Sequence, residues 1–262
     1  MGNQMVTLEY QDRICVLTLN RPKQRNSMDE KLARDFQKAV NEVKNEPKAK
    51  VLVLTGAAGA FCAGADLTMV SRWTQAKPTI LEKKVFDFYH SFLNITELKI
   101  PTIAAINGPA IGAGACLALA CDMRIAAWEA KIGFTFIKLG LNPGMGSEYF
   151  LSRLVGPART IELLMTGDML TADEALRIGL VNKVVSSKEL MGRVMELAEK
   201  LAAMPALPIS FIKESTYTAI KSNLTDVLHR EAACQGVCFQ TMNVKEGIKA
   251  AQEKREPRFS EE

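Results

Sequence analysis

The chain has 262 residues, of which 48% are hydrophobic and 24% charged, with a net charge of +4. That is the composition of a globular protein long enough to bury one large core, and it excludes a disordered or fibrous chain. The mild positive charge contains no Lys/Arg block able to follow a phosphate backbone, so nucleic acid is not expected as a partner.

Residues 1–12 carry no basic stretch followed by an apolar one, and no apolar run approaches the roughly 20 residues that cross a bilayer. A cytoplasmic chain without a membrane partner is therefore expected. Residues 6–10 and 14–19 read as strands. Ser27-Met28-Asp29-Glu30 has the composition of a capping box, and Leu32, Phe36, Ala39, Val40 and Val43 follow at helical spacing. A helix is predicted from about Met28 until Pro47 forbids its continuation. Residues 51–55 form the next strand and residues 79–94 the next helix, before further strands at 102–107 and 123–126. Between those two strands a helix starts near Gly112 and runs through Leu117, Leu119 and Ala120 with hardly a polar residue, so it must be buried on nearly all sides.

After Gly146 the pattern becomes helix upon helix, punctuated by Pro157, Thr171, Pro205 and Pro208. The fold class is α/β, with one domain over 1–200 built from strand–strand–helix units. A helical region over 201–262 packs on that core and on a neighbouring subunit, with packing on its own domain alone as the alternative. Cys15, Cys62, Cys116, Cys121, Cys234 and Cys238 sit mainly in apolar stretches and read as reduced core thiols. Cys234 and Cys238 share a helix face near His229, but no second pair completes a tetrahedral site, so no metal is expected.

Two segments repeat one grammar of buried strand, tight turn of small residues, then helix. The first contains Phe61-Cys62-Ala63-Gly64-Ala65-Asp66-Leu67, the second Asn107-Gly108-Pro109-Ala110-Ile111-Gly112-Ala113-Gly114-Ala115-Cys116. Turns of Gly and Ala let a ligand approach the main chain, and a helix starting there leaves unpaired N–H groups. Gly112-Ala113-Gly114 lacks the third glycine of a dinucleotide fingerprint, and no Gly-Lys-Ser/Thr forms a phosphate loop.

These segments, with Leu19-Asn20-Arg21-Pro22, Arg25-Asn26-Ser27-Met28, residues 101–122, 140–156 and 172–185, Thr166-Gly167, and Glu246-Gly247 through Lys254-Arg255, resemble the crotonase (enoyl-CoA hydratase/isomerase) superfamily along nearly the whole chain. The resemblance implies a spiral of ββα units, with a homotrimer or dimer of trimers completed by the carboxy-terminal helices. It implies an acyl-CoA or acyl-carrier thioester whose oxygen accepts hydrogen bonds from the N–H groups of Ala65 and Ala113. Ala113 stands where the family usually has Gly, and its N–H survives that change. Coenzyme A would arrive as part of the substrate, lying along Arg25, Ala63, Asp66 and Leu67, and no separate cofactor is implied.

Hydration of an enoyl thioester needs two carboxyl groups, one for the water and one for the α-carbon. In the family's hydratases these fall at the positions of Cys116 and Phe136, neither of which is an acid here. The aspartate that related isomerases, dehalogenases and synthases carry near Pro143 or Gly144 is absent too. An oxyanion hole still lowers the barrier to an enolate by a few kcal/mol, whereas loss of proton transfer forfeits roughly 10²- to 10⁴-fold in rate. The expectation is therefore lyase chemistry such as decarboxylation of a malonyl-type thioester, whose electrons come from a breaking C–C bond. Asn142-Pro143-Gly144-Met145-Gly146 loosely resembles decarboxylases of the family, while Gln235 falls where some of them carry histidine. Glu148 and Cys116 are candidate substitutes for the acids, a helix start being able to lower a thiol pKa. His90 and Tyr89 lie on the helix that borders the acyl pocket in this family, and Trp73 and Met69 are expected to shape that pocket. The alternatives are a catalytically silent acyl-CoA-binding relative, or weak hydration or isomerisation through Glu148.

Overall fold

The structure, a computed structural model, describes residues 4–260. Strands β1 (Val6–Gln11) and β2 (Ile14–Leu19) pair antiparallel and are followed by helix α1 (Glu30–Asn45). Strand β3 (Val51–Gly56) precedes α2 (Leu67–Trp73) and α3 (Pro78–Leu93). Next come β4 (Thr102–Ile106), β5 (Ala110–Ile111) and α4 (Ala113–Leu119), then β6 (Met123–Ala127), β7 (Lys131–Gly133), α5 (Ser147–Leu154) and α6 (Gly156–Thr166). Strand β8 (Met169–Thr171), α7 (Ala172–Arg177), β9 (Lys183–Val185) and α8 (Leu190–Ala202) lead to the tail, α9 (Ala206–Ala219), α10 (Leu224–Cys238) and α11 (Met242–Glu253).

A six-stranded sheet runs β1-β2-β3-β4-β6-β9, parallel beyond the first pair, and β5-β7-β8 form a smaller sheet. Each of the turns β4-β5-α4 and β6-β7-α5 gives one strand to the large sheet and one to the small, which is the expected spiral. The strands of the large sheet read as continuous apolar runs because both of their faces are covered. Cys15, Leu17, Leu52, Leu54, Ala104 and Ile106 face α1 and α4. Ile14, Val16, Val53, Ile103, Ala105 and Ile125 face Leu190, Val194 and Ala198 of α8. All seven residues of α4 are buried, as its lack of polar residues required.

Helix α1 starts two residues later than the sequence suggested. Its cap is Asp29, which accepts from the Leu32 N–H at 2.8 Å, because Ser27 and Met28 are engaged elsewhere. Downstream punctuation falls as predicted: Pro157 lies in the first turn of α6, Thr171 caps α7 and Pro205 precedes α9. All six cysteines are free thiols, four of them buried and Cys234 and Cys238 half-buried on α10. No helix among the described residues is long and apolar enough to cross a membrane.

The tail meets the core through a polar clamp. Lys213 of α9 pairs with Asp122 at 2.8 Å and donates to the Ile100 carbonyl, while the Tyr217 hydroxyl donates to the other Asp122 oxygen at 2.9 Å. Neither α9 nor α10 buries a residue completely, and Ile212, Leu224 and Phe239 are 65%, 73% and 63% exposed.

Candidate active site

The loop after β3 is held by the segment before α1. Asn26 is buried and donates to the carbonyls of Ala57 and Ala60, while its own oxygen accepts from the Arg21 N–H at 2.9 Å. Arg25 is exposed, and its carbonyl accepts the Ala63 N–H at 2.9 Å. Met28 then donates to the Gly64 carbonyl at 2.7 Å and accepts from the Asp66 N–H at 2.8 Å. In extended chain, alternate residues point to opposite sides, so bonding through Gly64 and Asp66 turns the Ala65 N–H away from Met28. That N–H donates to no acceptor among the described residues.

The second donor comes from the start of α4. Gly112 turns the chain at φ +52 and donates its own N–H to the Gly133 carbonyl at 2.7 Å. Ala113 is then the first helical residue, where the N–H has no partner in the preceding turn. Ala65 and Ala113 line the same cavity of about 530 Å³, so the structure brings together the two predicted donors.

Its walls are mostly apolar: Val70, Trp73, Leu81, Val85, Phe88, Phe136, Leu139 and Leu141. Trp73 packs edge-on against Phe88 at 5.4 Å. Polar side chains come from Thr74, Tyr89, Thr135, Lys138 and Asn142, and no described carboxylate lines the cavity. Among the described residues, Lys138 is the only charged side chain in the lining, half exposed and 3.8 Å from Asp168. A larger cleft of about 740 Å³ lies beneath α9 and shares no lining residue with it.

The other sequence candidates divide. Ala63 and Leu67 line the cavity, and Arg25 adjoins it through Ala63. The Asp66 side chain is committed to structure: it caps α2 through the N–H groups of Thr68 and Met69, and meets Arg21 at 3.2 Å. Partial burial pushes its carboxyl pKa up, but the bonds from Met69, Thr68 and Arg21 outweigh that and hold it below the usual range. Trp73 lines the pocket as expected, whereas Met69 is buried behind it. His90 is exposed and turned outward, 3.9 Å from Glu97.

Neither proposed substitute acid faces the cavity. Glu148 is exposed in the first turn of α5. Cys116 is fully buried with its thiol donating to the Gly144 carbonyl at 3.5 Å. The helix start does not lower its pKa: burial pushes the thiol upward and keeps it protonated. Arg21 was visible only as part of a motif. Besides Asp66 it bonds the Ser27 carbonyl at 2.7 Å and meets Asp29 at 3.3 Å, fastening the entry of α1 to the Ala65 loop. Asp66 lies 45 residues away along the chain, so the sequence carries no local signal for this contact.

The family model for enoyl-CoA hydratase/isomerase matches residues 9–262. The chain is 36% identical to the crotonyl-CoA hydratase of Syntrophomonas wolfei, covering 99% of each. It is 34% identical to the 1,2-epoxyphenylacetyl-CoA isomerase of Escherichia coli over 94% of this chain and 95% of that one. The crystal structure of an enoyl-CoA hydratase from Bacillus anthracis superposes with a TM-score of 0.92 at 34% identity, covering 99% of this chain and all of that one.

Proposed function

The chain belongs to the enoyl-CoA hydratase/isomerase family and has the crotonase fold, and from that premise we propose that it binds an acyl-CoA thioester and stabilises its enolate. The thioester oxygen accepts from the N–H groups of Ala65 and Ala113, and the acyl group occupies the adjoining cavity. Adenine and pantetheine run past Ala63 and Leu67, with Arg25 at the mouth and the main chain of Asp66 beside them. Coenzyme A belongs to the substrate, and a carrier-bound thioester presents the same pantetheine arm. The observation that carries this reading is a pair of main-chain donors, unpartnered among the described residues, in one cavity whose walls are mostly apolar.

The reaction proposed is decarboxylation of a malonyl-type thioester or of its vinylogue. The C–C bond to the carboxylate breaks, its electron pair becomes the enolate held by the two N–H groups, and carbon dioxide leaves. Such a reaction needs no base, and the resemblance puts the family's two glutamates at the positions of Cys116 and Phe136, neither of which is an acid. Lys138, a charged side chain in the wall, suits an anionic acyl substituent. Incubation with methylmalonyl-CoA and glutaconyl-CoA, followed by mass spectrometry, should show loss of carbon dioxide. Acetoacetyl-CoA should bind as an enolate mimic; binding without any turnover would leave an acyl-thioester receptor.

Hydration is the second reading, favoured by the full-length similarity to a crotonyl-CoA hydratase. Conversion of crotonyl-CoA to its 3-hydroxyacyl product with methylmalonyl-CoA untouched would establish it instead. We also propose that the apolar side chains left exposed on α9 to α11 close a homotrimer or dimer of trimers. Light scattering should give three or six protomers, and a monomer at all concentrations would refute it.

A further inference from the structure

Tyr89, on the last turns of α3, lines the same cavity as Ala65, Ala113 and Phe136. Its hydroxyl donates to no acceptor among the described residues, although the ring is half-buried and packed against the core. The hydroxyl rests on the face of Gly144, where a Cβ on that glycine would collide with it. The carbonyl of the same Gly144 accepts the Cys116 thiol at 3.5 Å. Tyr89 therefore stands one residue away from the position where the family resemblance places a glutamate.

We propose that Tyr89 is the group that delivers a proton to the α-carbon of the bound enolate. This rests on the enolate reading above. Burial, with a smaller contribution from nearby Cys116, raises the phenol pKa and keeps it a neutral donor at physiological pH. In the step, the Tyr89 O–H bond breaks and a C–H bond forms at the α-carbon. The enolate electron pair supplies that bond, the thioester carbonyl is restored, and water at the cavity mouth returns a proton to the phenolate. The other lining side chains fit the task less well. Thr74 and Thr135 are far weaker acids, the Asn142 amide donates instead to the Pro143 carbonyl at 2.9 Å, and Lys138 stands 3.8 Å from Asp168.

The test uses methylmalonyl-CoA in D2O, reading both the rate and the configuration of deuterium at the α-carbon of the propionyl product. The native protein should deliver deuterium to one face. Tyr89→Phe should slow turnover about 10²-fold and yield label on both faces, while binding acetoacetyl-CoA within about twofold of native. Gly144→Ala, which displaces the hydroxyl without removing it, should blur the stereochemistry in the same direction. Unchanged rate and configuration in Tyr89→Phe would overturn the proposal while leaving the enolate reading standing. No release of carbon dioxide by the native protein, with acetoacetyl-CoA still bound, would overturn decarboxylation and the delivery step with it, while leaving the enolate reading standing.

Discussion

Ile111 donates its main-chain N–H to the carbonyl of Cys62 across 2.9 Å, and the N–H groups of Phe61 and Cys62 both reach the Pro109 carbonyl. Through these bonds the loop bearing Ala65 and the loop bearing Ala113 are one body. The spacing of the two donors is thus set by a main-chain weld between segments some 50 residues apart in sequence.

Gly114 tests that weld. A Cβ there would run into the carbonyl and side chain of Cys62, so Gly114→Ala must push the two loops apart. We expect a loss of about 1–3 kcal/mol in stability, seen as a lower thermal midpoint. Acetoacetyl-CoA binding should weaken further than that of free coenzyme A, because only the thioester uses both donors.

Ala113 offers a way to delete one donor at little structural cost. As the first residue of α4 it occupies the one helical position where proline is welcome, and Ala113→Pro replaces the N–H with a ring methylene that faces the cavity. Turnover of whichever thioester is processed should drop about 10²- to 10³-fold, with a melting curve close to native. A variant that keeps its activity would show that the oxygen is held elsewhere.

Glu148→Gln should leave turnover within about twofold of native, since the carboxylate is exposed and does not line the cavity. Steady-state rates on crotonyl-CoA and methylmalonyl-CoA decide it. Abolished activity on crotonyl-CoA would restore the carboxylate chemistry of hydration.

Much of this architecture is readable from the chain because the buried strands, such as Val51–Gly56, and the apolar helix Ala113–Leu119 admit few alternatives. The cap of α1 is not readable. Ser27 and Asp29 are both good caps, and the choice is made by Arg21, which occupies the Ser27 carbonyl, and by the bridge from Met28 to Ala65. The short strands Ala110–Ile111 and Lys131–Gly133 carry too few residues for a period. The Ala65 and Ala113 turns are legible because small residues leave a local signature, whereas the meeting of Tyr89 with Gly144 joins distant segments and leaves none.

Asp66 should contribute to acid stability with a definite sign. Its folded pKa lies below the unfolded value of about 3.9, the bonds from Met69, Thr68 and Arg21 outweighing partial burial. Its contribution is therefore complete above about pH 4 and is lost as pH falls through the folded pKa. Thermal midpoints of the native protein should decline below that pH, and those of Asp66→Asn, lower at neutral pH, should decline less. Parallel acid limbs would count against the assignment.

Lys213→Met breaks the clamp on α9. It strands Asp122, whose side chain is 16% exposed, without its cation. Removing one partner of a largely buried pair costs about 3 kcal/mol. Amide exchange should accelerate in α9 and α10 before the sheet is affected, while exchange of β3 and β4 stays near native.

Because the donors at Ala65 and Ala113 are peptide groups, their chemistry is independent of which side chains surround them. Mutation can rewrite the walls at Phe136 or Tyr89 without touching those two N–H groups, and a carboxylate introduced at Phe136 would line the same cavity as both of them. The scaffold therefore separates the inherited part of its reactivity, held in the chain path, from the part that sequence drift or an engineer can exchange one residue at a time.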